Sequence, residues 1–159
     1  MIKENINDFF NETPRFGGFL GIDLGEKRVG LSISDRTQSI ASSYATLEKK
    51  KFSLFSSDLK AIIDKEIICG IVIGLPLNMD GSEGPKCQST RHFAKNFSSV
   101  VSLPITFWDE RLTTVAAERS LLSADLSRKK RKYVIDSIAA VLILQNLLDR
   151  LKNIQQKNT

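Results

Sequence analysis

Three acids stand where the flanking residues do not invite a charge. In "FLGIDLG", Leu20, Ile22 and Leu24 alternate with Gly21 and Asp23, the spacing of a half-buried strand whose successive side chains point to opposite faces. A carboxylate there is costly to bury unless something pairs with it, so either the second face is wet or Asp23 has a cationic partner. In "ITFWDE", alternation puts Ile105, Phe107 and Asp109 on one face and Thr106, Trp108 and Glu110 on the other. Glu110 then ends a strand at its C-terminus, where open α/β sheets bind ligands. In "YVIDSIAAVLILQNLLDRLKN", Asp136, Ala140, Ile143 and Leu147 form one helical stripe, widened by Ala139. The stripe is apolar below Asp136, so it faces the sheet and turns the acid inward. The plain alternative for Asp136 is an early-helix acid favoured by the dipole.

Three such acids cannot all ionise side by side without cations. Arg111 can neutralise one of them, not three. The chain has a single histidine, His92, and two distant cysteines, Cys69 and Cys87, which excludes a histidine-built zinc or iron site and a four-thiolate site. A Ser-His-Asp triad would have to use His92, which lies in the polar helical stretch "KCQSTRHFAKNF" with no nucleophile elbow nearby. A cluster ligated only by oxygen suits Mg²⁺ or Mn²⁺. Carboxylates bridging two such ions position an attacking water and steady the leaving oxygen of a phosphodiester. The pattern alone leaves open whether the three acids converge.

The elements that must position them are regular from Phe19 onward. "FLGIDLG" and "VGLSISD" read as a hairpin around "EKR", and "SIASSYATLE" as a third strand. "FSLFSSDLKAIIDKEI" has helical spacing. "ICGIVIGLP" is a continuous apolar run ended by proline, as in a strand buried on both faces. A helix over "PKCQSTRHFAKNFSSV", the strand "PITFWDE", a helix over "TTVAAERSLLSAD", a basic connection "LSRKKRK" and the long last helix complete the order βββαβαβαα. This is an α/β fold, a mixed sheet flanked by helices.

"GIDLGEKRVGLSISD", "IVIGLPLNMDGSEGP", "ITFWDERLTT" and "SRKKRKYVIDSIAAVLILQNLLD" closely resemble the YqgF family, RNase H-like proteins related to RuvC-type resolvases. The resemblance runs from about Phe19 to Asp149. It implies a five-stranded mixed sheet with the first and fourth strands adjacent, which would set Asp23 at the centre facing a metal site. It also implies a nuclease that processes the 5′ end of pre-16S rRNA, or a Holliday junction resolvase. The family's catalytic acids fall on Asp23, Glu110 and Asp136, which would be the ligands of Mg²⁺ or Mn²⁺. The partner would be nucleic acid, pre-16S rRNA or the assembling small ribosomal subunit.

With 159 residues the chain fits one domain over residues 18–159, and residues 1–17 read as a flexible extension, a loose arm or short helix ended by Pro14 and two glycines. No apolar run approaches a membrane span and no secretory signal is visible, so a cytoplasmic protein with reduced thiols is expected. Net charge is +5, and residues 104–159 hold ten Lys/Arg against six Asp/Glu, while the other residues hold thirteen against twelve. This bias fits a polyanion partner. Arg128, Lys129, Lys130, Arg131 and Lys132 are candidate phosphate contacts or a solvated loop, with Arg111 beside Glu110 as a further candidate. "LPLNMDGSEGP" is either a phosphate-cradling turn with Asn78 or a plain polar turn. Phe107 and Trp108 fit core packing better than base stacking. Two readings of other classes remain: an ATP-handling protein, since "GIDLGEKRVG" is similar to the first phosphate loop of the actin, Hsp70 and sugar-kinase superfamily, and a non-catalytic RNA-binding assembly factor.

Overall fold

The computed structural model describes residues 1–112 and 128–158, with residues 128–137 as backbone. The elements are α1 (Ile6–Glu12), β1 (Gly18–Leu24), β2 (Arg28–Ser34), β3 (Ala41–Glu48), α2 (Phe52–Glu66), β4 (Ile68–Leu75), α3 (Pro85–Ser98), β5 (Ile105–Asp109), a 3-10 turn (Glu110–Leu112) and α4 (Arg128–Lys157). The helix expected over "TTVAAERSLLSAD" lies outside the described residues. Among the described residues no helix is long and apolar enough to cross a membrane.

The sheet order is β3-β2-β1-β4-β5, with β1 antiparallel to β2 and parallel to β4. The adjacency of the first and fourth strands is thus present. Beta-branched runs build the centre: β4, "ICGIVIGL", is buried almost throughout, while β3, "ASSYATLE", is polar and forms an edge. Pro85 opens α3 directly after Gly84, where a missing N–H costs nothing.

Alternation along the strands divides the core in two. Leu20, Ile22, Ile71, Ile73 and Ile105 pack with Phe55, Leu59 and Phe97 of α2 and α3. Phe19 and Val72 pack on the other side with Ile143, Leu144 and Leu147 of α4. Phe107 joins the first cluster and Trp108 the second, so both aromatics pack as core residues.

Residues 1–17 contain the short helix of the two expected forms. Phe9 of α1 is fully buried and meets Phe19 with ring centroids 5.7 Å apart. Ahead of α1, Ile2 bridges Ile105 in parallel, and Lys3 N–H donates to the Ile105 carbonyl at 2.7 Å. The outer edge of β5 is thereby covered there.

The basic run is not a connection. Residues 128–132 are helical and continue into the apolar stripe of α4, because Lys and Arg are good helix formers.

The β2–β3 turn is organised by Asp35. Its carboxylate accepts from the Thr37 hydroxyl and from the N–H groups of Ser39 at 2.8 Å and Ile40 at 2.9 Å. The Thr37 bond first, then these backbone bonds, hold the carboxyl down at about 2. A carboxyl whose folded pKa is depressed stabilises the fold above its unfolded pKa of about 3.9 and ceases to do so as pH falls through the folded value. Asp35→Ala should therefore melt a few degrees below wild type at neutral pH. The gap should close between about pH 4 and pH 2, which melting curves across that range would check.

Candidate active site

Asp23 is only 4% exposed. Its neighbours Ile22 and Leu24 enter the α2–α3 core, so Asp23 shares the opposite face with Phe19 and Gly21. That face is not wet along β1, because α4 roofs it. At Gly21 the approach is close: a Cβ there would lie 2.3 Å from Ser32 Oγ and 2.9 Å from Leu144 Cβ. The Ser32 hydroxyl donates to the Ala140 carbonyl at 2.6 Å, which pins the helix to the sheet.

Glu110 departs from the expected strand. β5 stops at Asp109, and Glu110 is the first residue of the 3-10 turn. It nonetheless stays on the α4 side and is 9% exposed. The reason lies in Gly74. β4 pairs Ile73 with Ile22 of β1 and Gly74 with Trp108 of β5, so Gly74 stands between the Asp23 and Trp108 positions. A Cβ on Gly74 would lie 2.4 Å from Ile143 Cδ1 and 2.8 Å from Glu110 Oε1. The absent side chain leaves the space into which the Glu110 carboxylate reaches. The sequence reading missed Gly74 as part of the site, although a glycine inside a strand run signals just such a close approach.

Position 136 is placed by register. Gln145 accepts from Ala41 N–H at 2.8 Å, level with the Ser34–Ala41 pair and the start of β1, since Phe19 N–H donates to Ser34 Oγ. Ala140 lies level with the Gly21–Ser32 pair. α4 therefore runs antiparallel to β1. Two strand residues cover about 6.6 Å, close to one helical turn of about 5.4 Å. The step from Gly21 to Asp23 thus corresponds to the step from Ala140 back to the turn that holds position 136.

Asp109 alternates away from this face. Arg111 holds it, with Nη2 2.7 Å from Oδ2 and Nε 3.1 Å from Oδ1, and keeps its carboxyl below the usual range. Arg111 therefore neutralises Asp109 rather than a site acid, and it also reaches the Met79 carbonyl at 3.4 Å. In the loop after β4, Asn78 Nδ2 donates to Ser82 Oγ at 3.0 Å and Asp80 accepts from Ser82 N–H at 2.9 Å. These bonds close the loop on itself through Asn78, Asp80 and Ser82.

Asp23 and Glu110 are thus the two expected site acids whose side chains are described, and both are buried on the α4 side; among the described residues no group of three or more His, Cys, Asp or Glu is gathered. Their donors are carboxylate oxygens on rigid elements. Such a set fits a hard divalent cation and does not fit a soft one.

Comparison with known proteins agrees with this architecture. A protein of Ruegeria pomeroyi named "Putative pre-16S rRNA nuclease" is 53% identical over 154 residues, 97% of this chain and 100% of that protein. A protein of the same name from Cereibacter sphaeroides is 55% identical over 151 residues, 95% of this chain and 94% of that one. Among solved structures, the Thermus thermophilus RuvC in complex with Holliday junction substrate aligns with a TM-score of 0.52 at 10% identity, over 84% of this chain and 96% of that chain, and so shares the fold. Residues 17–150 match the family described as "RuvX: Holliday junction resolvase". With that match spanning the sheet and most of α4, the chain belongs to the RuvX family.

Proposed function

We propose that this chain is a nuclease that hydrolyses phosphodiester bonds, and that it processes the 5′ end of pre-16S rRNA as the small ribosomal subunit assembles. The observation that carries this reading is the burial of two carboxylates on the face that α4 covers, Asp23 on β1 and Glu110 after β5, the latter reaching into the space left by Gly74. By the register of α4, position 136 falls toward the same end of the sheet. The RNA substrate is the one named for the relatives from R. pomeroyi and C. sphaeroides. Asp23, Glu110 and Asp136 would hold Mg²⁺ or Mn²⁺, as two ions, and the metal when bound supplies an activated water and stabilises charge on the phosphodiester.

The chain's own contribution is rigid placement. Asp23 is fixed by strand pairing on β1, and Glu110 by the turn that ends β5. Arg128, Lys129, Lys130, Arg131 and Lys132 hold the phosphate backbone, with Arg111 as a further contact. Five successive helical positions surround the axis, so they do not act alike. Positions 128 and 132 fall on the stripe of 136 and 140, two turns and one turn before the acid, and these two lead the strand to the site.

The family description favours a second reading, symmetric cleavage of a four-way DNA junction, which needs a dimer. Cleavage of labelled pre-16S rRNA and of branched DNA, with and without Mn²⁺, separates the two, together with the oligomeric state in solution. RNA binding without cleavage of either substrate would instead make the chain an assembly factor.

Asp23→Asn, Glu110→Gln and Asp136→Asn should each lose at least about a hundredfold in cleavage while still folding. Millimolar Mg²⁺ or Mn²⁺ should raise the melting temperature of wild type and do so less for Asp23→Asn. Wild-type rates in the Asp136 variant would remove that residue from the site.

Gly74→Ala should displace Glu110 or Ile143, destabilise the fold by about 1–3 kcal/mol and reduce cleavage. Denaturant titration alongside single-turnover rates would show whether both effects occur.

Replacing Arg128 and Lys132 with glutamine should weaken binding of all sequences alike and cost more cleavage than replacing Lys129 and Lys130. The slope of log affinity against log salt should shrink by about 0.7–0.9 per lost phosphate contact. Identical behaviour of the two pairs in binding titrations at several salt concentrations would contradict the stripe.

A further inference from the structure

Across the sheet from Asp23 lies a feature that the proposed chemistry leaves unused. Leu24 ends β1, and beside it and Gly25 a cavity of about 320 Å³ opens between the start of α2 and the length of α3, a size at the small end for ligand sites. Phe52, Phe55 and Phe93 line it, and they belong to a file of phenylalanines that climbs out of the core. Phe97 is fully buried and stacks on Phe93, with centroids 5.5 Å apart and planes 13° from parallel. Phe93 in turn meets Phe52 edge-on at 6.0 Å. Phe52, the outermost ring, is 36% exposed.

The rim is cationic. Lys49, Lys50 and Lys86 line the opening against Glu26 alone. Lys50 reaches Asp58 at 3.3 Å. Lys86 makes no ion pair among the described residues, and it sits in the first turn of α3, where the helix end adds positive potential. Asn96, whose side-chain nitrogen is 3.2 Å from His92 Nε2, also lines the cavity and adds a polar edge.

We infer that this cavity takes one unpaired nucleotide of the RNA strand, its base against Phe52 and Phe93 and its phosphate among the lysines. A simple anion would use the lysines but not the exposed ring. An apolar ligand would use the ring but not the lysines. A nucleotide uses both, since every base has a face to stack and every linkage a charge. Duplex RNA keeps its bases stacked inside and cannot fill the cavity. Asp23 and Leu24 are consecutive and point to opposite faces, so only the short β1–β2 turn separates the cavity from the site. A single strand crossing that turn engages both. The identity of this strand as substrate rests on the nuclease reading.

The test uses a short single-stranded RNA carrying 2-aminopurine, a duplex of the same sequence, and AMP as competitor. Wild type should raise the 2-aminopurine emission, as the base leaves its stacked neighbours, and bind the single strand. Phe52→Ala should lose the rise and about tenfold in single-strand affinity. Lys49→Gln with Lys86→Gln should lose single-strand affinity with the melting temperature little changed. Duplex binding should be unaltered in both. Retained emission rise and affinity in both variants would overturn the inference, as would an equal loss on duplex. Competition by AMP as strong as by the oligonucleotide would also overturn it, since the cavity would then serve a free nucleotide. Absence of cleavage by wild type with the emission rise intact would overturn the nuclease reading and leave the nucleotide cavity standing.

Discussion

How deeply α4 can lie on the sheet decides where the acids stand. A helix resting on full-sized side chains would ride higher, and its stripe would not reach the strand surface. Here Gly21 and Gly74 remove the obstacles, and the Ser32 hydroxyl bonds a carbonyl inside the helix at 2.6 Å. That carbonyl has a second lone pair to give, so the bond forms without breaking the helix ladder. Burial of Asp23 and the inward reach of Glu110 follow from this contact. Both carboxylates lie under the helix because the helix is close enough to cover them.

Charge is arranged asymmetrically about α4. Asp23 and Glu110 are buried on the sheet face that this helix covers, while the described part of the helix opens on five cations, Arg128 to Lys132. Burying a carboxylate costs free energy unless charge or hydrogen bonds compensate it. Arg111, the cation nearest in sequence to Glu110, is engaged with Asp109.

Much of this arrangement could be read from local pattern. The Ile22–Asp23–Leu24 alternation showed that Asp23 leaves the face of its neighbours, and the apolar stripe of Ala140, Ile143 and Leu147 gave the helix its docking face. The end of β5 was less legible, because a strand and the first residue of a 3-10 turn share the same alternation at Glu110. The basic run reads as a connection by its charge clustering, yet Lys and Arg favour helices, and the helical residues 128–132 follow that propensity. The pairing of Ile2 with Ile105 and the meeting of Phe52 with Phe93 had no local signal at all. Each joins residues far apart in the chain, and only the finished topology brings them together. Helical spacing places Phe52 and Phe55 on one side of α2, but only the docking of α3 sets Phe93 against both.

The parallel arrangement of β1, β4 and β5 sets an order in time. A ribosome emits Asp23 long before its neighbour strand β4, Glu110 later still, and α4 after that. Until α4 docks, the face of the sheet bearing Asp23 and Phe19 is bare, so the growing chain lacks a sealed second core. Closing that core and burying Asp23 and Glu110 become the same event, the last one that synthesis allows.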